Sequence, residues 1–271
     1  MTESALLIFT FLMNIAIGLV ICSTLMKVKY PKLNLKYAYY VAACFSIIAV
    51  IASLLHLGKP FSALNSILNL GDSWLSREIL FSGAFAGIVV VYACIELFKS
   101  SLTQLKNILS WLGSIVGLIA VFTMGKLYAT SAVVAWDSVN TFIEFYATVF
   151  SAGFLMFLLI CYKEVKDLNL NFIKIPAMIA VAIQVATFGV YGMNLVTAGG
   201  NVVDSVAILI DYQWMMFLKW FLIVVGMFII TLQIKSLNIK ASIYVATTLL
   251  VVGQFLGRYL FYLNLVIPVI G

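Results

Sequence analysis

Eight stretches of about twenty mostly apolar residues run along this 271-residue protein, at about Ala5 to Met26, Tyr37 to Leu57, Leu75 to Phe98, Ile108 to Tyr128, Thr141 to Tyr162, Ile175 to Val196, Trp214 to Ile234 and Ala241 to Tyr262. Each is long enough to cross a hydrocarbon core of roughly 30 Å as a helix. Lipid offers no hydrogen bonds, so a spanning segment must pair its own peptide groups, which selects helices. The expected fold is therefore all-α and polytopic, one transmembrane domain over residues 1–271, with a spacing compatible with two four-helix halves. Composition agrees, at 64% hydrophobic and 10% charged. Eight spans consume about 160 residues, and the remainder is too short and too scattered for a soluble domain.

The first span follows a single charge, Glu3, with neither a basic start nor a small-residue cleavage pattern, so it reads as retained rather than as a signal peptide. Positive charge sets the expected orientation. Lys27, Lys29, Lys32 and Lys36, Lys99 and Lys106, Lys163, Lys166 and Lys174, and Lys235 and Lys240 fall on one side, against Lys59, Arg77, Lys126, Lys219 and Arg258 on the other. Both termini are thus expected outside. Seven acidic residues (Glu3, Asp72, Glu78, Asp137, Glu144, Asp204 and Asp211) fall outside, and Glu96, Glu164 and Asp167 inside. The net charge of +6 follows from this bias and calls for no nucleic acid. The two longest connections, Gly58 to Trp74 and Thr197 to Gln213, both lie on the outer side, where docking is expected. In the first, Phe61, Leu64 and Leu68 recur at helical spacing, as in a short amphipathic interfacial helix or a re-entrant loop packed for stability. Asp72 or Ser73 is placed to cap the third span.

The sequence has one histidine, His56, and four cysteines, Cys22, Cys44, Cys94 and Cys161, each in a separate apolar run. Iron–sulfur and structural zinc sites need four ligands, and no such cluster is present in the sequence. Bis-histidine haem is impossible. His/Met or single-His ligation stays formally open, but nothing singles out a partner for His56. The scattered cysteines read as small hydrophobes. Glycines four apart, Gly83 with Gly87, Gly113 with Gly117 and Gly253 with Gly257, read as close-packing faces.

Ionisable groups within a span are costly and usually face the bundle interior. Topology brings His56, Arg77, Glu78, Lys126, Glu144, Lys219 and Arg258 to one depth at the outer span ends. One reading is interfacial: the lysines snorkel, and His56 caps its helix C-terminus. Lys126 and Lys219 read this way, and Glu96 reads as a plain interface charge at the inner end. Another is redox chemistry on a quinol, which needs a proton acceptor near each hydroxyl. His56 and Glu78 suit that task, with Arg77 or Arg258 holding Glu78 ionised or stabilising an anionic ring oxygen.

The stretch His56-Leu57-Gly58-Lys59-Pro60, continued through Ala63, Asn65-Ser66, Asn69, Gly71, Ser73 and Leu75-Ser76-Arg77-Glu78-Ile79, resembles the signature of the membrane anchor subunit of dimethyl sulfoxide reductases. Gly253-Gln254-Phe255-Leu256-Gly257-Arg258 with Phe261-Tyr262 is similar to that family's segment in its last helix. The resemblance implies a haem-free anchor of the prokaryotic cytoplasmic membrane, not catalytic alone. Such an anchor oxidises menaquinol in anaerobic respiration and binds no metal or covalent cofactor. It passes electrons to a four-cluster iron–sulfur subunit, which feeds a molybdopterin catalytic subunit reducing S- or N-oxides. It also implies His56 and Glu78 as the quinol proton acceptors, with Arg77, Arg258, Asn65 and Ser76 as candidate substrate-binding residues. The family often carries an acid where Gln254 stands, so if that position assists proton release in the family, this protein must use another route. A polysulfide- or nitrite-reductase-type anchor would keep the quinone site and change the partner. A transporter would need helices broken near the midplane, yet Pro60 and Pro268 fall at span ends and Pro176 at the inner start of the sixth span.

Overall fold

Eight long helices carry the computed structural model, which describes residues 2–55, 69–198, 207, 210–232 and 239–263. They are α1 (Thr2–Lys29), α2 (Lys36–Leu55), α3 (Trp74–Phe98), α4 (Thr103–Ala129), α5 (Val139–Ile160), α6 (Asn171–Ala198), α7 (Gln213–Leu232) and α8 (Ile239–Leu263). Each contains a stretch long and apolar enough to span a membrane. The sequence-derived spans coincide with these helices, and the ends move by a few residues because helices continue past the apolar stretch into interfacial polar residues. Among the described residues there is no strand. The proposed amphipathic segment around Phe61, Leu64 and Leu68 lies outside the described residues.

Local chemistry sets the starts. Ser73 caps α3, its hydroxyl accepting from the Ser76 N–H at 3.3 Å. Ser138 caps α5, accepting from the Asn140 N–H at 3.1 Å. Within α5 the helix widens to a π segment over Val149–Gly153 before returning to α geometry at Phe154–Ile160. The sequence carries no proline there to announce it. The helix stays continuous, unlike the unwound spans of transporters.

The helices pack as two rings of four. In the first, α1 meets α2, α2 meets α3, α3 meets α4 and α4 returns to α1. In the second, α5 meets α6, α6 meets α7, α7 meets α8 and α8 returns to α5. The rings join where α1 packs against α5 and α8 and where α4 packs against α5. α1, apolar on all sides as a central helix must be, is the most buried span. Its crossing with α5 depends on glycine at both positions: a Cβ on Gly18 would lie 2.3 Å from the Val149 carbonyl oxygen, and one on Gly153 would lie 2.7 Å from the Gly18 Cα. Backbone contact of this kind is how helices gain packing energy in lipid.

The glycine pairs behave differently from one another. Gly253 and Gly257 face α7, where a Cβ would sit 2.7 Å from Ile223 and from Lys219 respectively, and Gly117 presses on Ile17 at 2.9 Å. Gly83 and Gly87 have open space beside them, so the packing role expected for that pair is not found. Spacing by four places two residues on one face without saying which face it is.

Candidate functional site

At the end of the bundle where α1 begins and α8 ends, the first two turns of α3 and α5 and the last two turns of α4 and α8 converge on a set of buried polar groups. His56 and Asn65 lie outside the described residues. The described half of the first motif divides at consecutive residues. Arg77 turns back on its own entry loop: Nε donates to the Leu70 carbonyl at 2.8 Å, another guanidinium nitrogen donates to the Gly71 carbonyl, and the group lies 4.1 Å over the Trp74 ring. Ser76 and Glu78 face inward, 2% and 4% exposed.

Glu78 is a buried carboxyl whose Oε1 has no hydrogen-bond partner among the described residues, and one turn further along α3 the buried Ser82 hydroxyl is also without one there. Among the described residues no cation forms an ion pair with Glu78, so neither Arg77 nor Arg258 is in direct contact with it. A pair of tyrosines occupies the same end of the bundle: Tyr128 and Tyr262 share a hydroxyl–hydroxyl hydrogen bond of 2.6 Å, and Tyr262 reaches the Thr10 hydroxyl at 3.2 Å. Both tyrosines are within electrostatic range of Glu78 and of Arg258. Aromatic rings wall this region. Trp136 stacks on Phe261 at 4.9 Å and donates its indole N–H to the Phe261 carbonyl at 2.9 Å, while Tyr128 packs against Phe145 and Phe261.

Arg258, 3% exposed, lies flat on Phe145 with its guanidinium carbon 3.7 Å from the ring centre. One nitrogen, Nη2, meets the Thr148 hydroxyl at 3.4 Å, and Nη1 has no hydrogen-bond partner among the described residues. From here a continuous polar network spans the second ring. Gln254 donates to Ser151 Oγ at 3.1 Å and to Gln184 Oε1 at 2.8 Å, and the Thr148 hydroxyl lies 3.4 Å from Gln254 Oε1. Gln184 donates to Glu144 Oε2 at 2.8 Å, and Glu144 holds Lys219 at 2.9 Å. Thr148 and Ser151 flank the start of the π segment and return their hydroxyl protons to the carbonyls of Glu144 and Ala147.

Lys219 corrects the snorkelling expectation. It is 5% exposed and points inward to Glu144, passing beside Gly257, where any side chain would fill the space its stem occupies. Lys126 is only partly buried, its Nζ 5.9 Å from the Trp74 ring, as a snorkelling lysine would be. Glu96 is more than a lone interface charge, since it pairs with Lys106 at 2.7 Å. The neutral network of Thr148, Ser151, Gln184 and Gln254 escaped the sequence reading, which followed charge. The available signal was four amide and hydroxyl side chains deep in spans that are otherwise apolar. Among the described residues no three His, Cys, Asp or Glu side chains converge as a metal site.

An all-helical protein with eight spans long and apolar enough to cross a membrane, tied together by buried polar groups, has the form of an integral membrane subunit. The family model for the DMSO reductase anchor subunit (DmsC) matches residues 1–263, and the protein belongs to that family. It is thus a multi-pass membrane anchor of a DMSO reductase complex in the bacterial cytoplasmic membrane. Similar curated proteins include the C subunit of the anaerobic dimethyl sulfoxide reductase of Haemophilus influenzae, 26% identical over 270 residues that cover 96% of this sequence and 94% of the relative. The C subunit of the Escherichia coli enzyme is 27% identical over 219 residues, covering 79% of this sequence and 76% of the relative. The YnfH subunit of an E. coli anaerobic dimethyl sulfoxide reductase is 24% identical over 217 residues, with the same coverage.

Proposed function

We propose that this anchor oxidises menaquinol at the terminus-bearing end of its first ring and delivers the electrons to an iron–sulfur subunit, which serves a molybdopterin subunit reducing an S- or N-oxide. The observation that carries the reading is Glu78: a carboxyl 4% exposed, with an unpartnered oxygen and the unpartnered Ser82 hydroxyl on the same helix face. Burying a polar group without a partner is costly, and in a membrane helix that cost marks a functional position.

The chemistry asks for two electrons and two protons to leave the quinol. Glu78 takes the proton of one hydroxyl through its free oxygen, and His56, adjoining the last described turn of α2, takes the other. Ser82 orients the bound ring by hydrogen bonding. Arg258 and the Tyr128–Tyr262 pair supply the positive field and hydroxyl dipoles that favour negative charge on the departing oxygen. Ser76 and Asn65 complete the binding surface, and Arg77 fixes the loop that leads into α3. Gln254 cannot take a proton, so release to water runs through Glu78 rather than through α8.

The test is titration of a fluorescent quinol-site inhibitor into membranes carrying the assembled complex, comparing the native protein with His56→Ala and Glu78→Gln. Stoichiometric binding that weakens in both variants, with quinol-dependent reduction of the terminal acceptor lost in Glu78→Gln, supports the site. Unchanged quinol turnover in Glu78→Gln would remove it from the proton route, and absence of inhibitor binding to the native complex would remove the quinol reading altogether.

A further inference from the structure

At the opposite end of the bundle, the α1–α2 turn and the facing ends of α3 and α4 enclose a cavity of about 310 Å³ that none of the foregoing uses. Its cations are Lys27, Lys32, Lys36 and Lys106, and its one carboxylate is Glu96. Lys106 is consumed by its 2.7 Å pair with Glu96. The other three lysines form no carboxylate pair among the described residues. Lys27 instead donates to the Tyr92 hydroxyl at 2.5 Å and sits 5.1 Å from the centres of both the Tyr39 and Tyr92 rings, which stack on each other at 3.7 Å. That anchorage fixes an ammonium at the inner wall of the cavity. The first turn of α4 lines the same space through Thr103, Lys106 and Asn107, and the residue before it, Leu102, has no side-chain hydrogen bond with which to cap the helix. An uncapped helix N-terminus with fixed cations around it favours an anion.

A second groove of about 250 Å³ continues from this cavity between α1 and α4, sharing Lys27, Pro31 and Asn107 and then running past Thr24, Val28, Ser110 and Trp111. Val28 and Trp111 are exposed, and on α4 they lead into the exposed apolar face of Ile108, Leu112 and Ile115. A free inorganic anion would use the first cavity and have no need of the second. A molecule with a phosphate at one end and hydrocarbon at the other uses both.

We propose that this cavity and groove bind one anionic phospholipid, its phosphate held by Lys27, Lys32, Lys36 and the α4 N-terminus and its acyl tails laid along Val28 and Trp111. Basic pockets between helices at the membrane surface recognise lipid headgroups in this way. The site would tie the first ring to the bilayer at the end away from Glu78.

The probe is palmitoyl-oleoyl phosphatidylglycerol added to the full-length protein purified with its partner subunits, with retained lipid counted by native mass spectrometry against an equal amount of phosphatidylcholine. The native complex is expected to keep one phosphatidylglycerol in preference to phosphatidylcholine. Lys32→Gln with Lys36→Gln should lower its apparent affinity about 25-fold, each lysine near an anionic headgroup being worth roughly fivefold. Lys163→Gln with Lys166→Gln, an equal loss of charge on the same end but outside the cavity, should leave it unchanged. Three results overturn the proposal. Equal weakening in both double variants would mean a diffuse basic surface. Displacement of the lipid by excess inorganic phosphate would mean a free-anion site. Lipid bound by the anchor alone but expelled on assembly would mean a docking surface for a partner protein.

Discussion

Glu144 and Glu78 are both carboxyls in the second turns of their helices, at the same end of the bundle and facing inward, yet their surroundings are opposite. Glu144 is held by Lys219 at 2.9 Å and by Gln184 at 2.8 Å, whereas Glu78 keeps a free oxygen and no cation in contact among the described residues. The first arrangement is self-contained: charge, counter-charge and hydrogen bonds are satisfied within the second ring. The second leaves a carboxyl oxygen open among the described residues. A buried acid with every valence used stabilises a packing arrangement, while a buried acid with one valence open can exchange a proton with a guest.

The comparison can be broken most severely at Glu144. Glu144→Leu leaves Lys219 as a buried, unpaired cation, which costs about 3–5 kcal/mol. Thermal unfolding of the purified complex should show a large loss of stability, and Lys219→Met in the same protein should restore much of it. A stable Glu144→Leu protein would mean the pair is not buried as described. Glu78→Gln is the converse case. The fold should tolerate it, since no ion pair among the described residues is lost, while quinol-dependent turnover falls about a hundredfold or more, the lower range of a general base's contribution. Comparable melting temperatures alongside that kinetic loss would separate the two carboxyls cleanly.

Smaller substitutions sharpen the contrast between packed and open positions. Gly257→Ala places a methyl 2.7 Å from Lys219 Cε and should cost about 1–3 kcal/mol by pushing the lysine off Glu144. The smallest effect is expected for Gly83→Ala, which meets open space. That change should be neutral or stabilising by up to about 1 kcal/mol, because alanine loses less backbone entropy in a helix than glycine. Parallel denaturation of the two variants measures the difference directly.

The sequence made the spans legible because lipid imposes one rule on every residue of a crossing helix. Ser73 as a cap was legible for a similarly local reason, and Glu78 and Arg258 stood out because charge in a span is rare. What escaped was relational. Lys219 near a span start looks the same whether it faces headgroups or Glu144, and only the packing of α7 on α8, allowed by Gly253 and Gly257, decides which. Gln184 and Gln254 lie seventy residues apart in the sequence, and their mutual bonds at 2.8 and 3.2 Å follow from tertiary placement alone. Tyr128 and Tyr262 are common interfacial residues until the two rings of helices join and set their hydroxyls 2.6 Å apart.

The central position of α1 also dictates an order of events in the cell. α1 leaves the ribosome ahead of α5 and α8, yet partners that two of its polar side chains reach are made much later: the Asn14 amide donates to the Phe145 carbonyl at 3.4 Å, and Thr10 meets Tyr262 at 3.2 Å. Through most of synthesis the most apolar span must therefore wait in the bilayer with its Asn14 amide unmatched, while the Thr10 hydroxyl is held by the Leu6 carbonyl of its own helix. It locks into place only as α5, and finally α8, are released from the insertion machinery. A protein truncated before α8 would still thread seven helices into the membrane, and its founding helix would have no final seat.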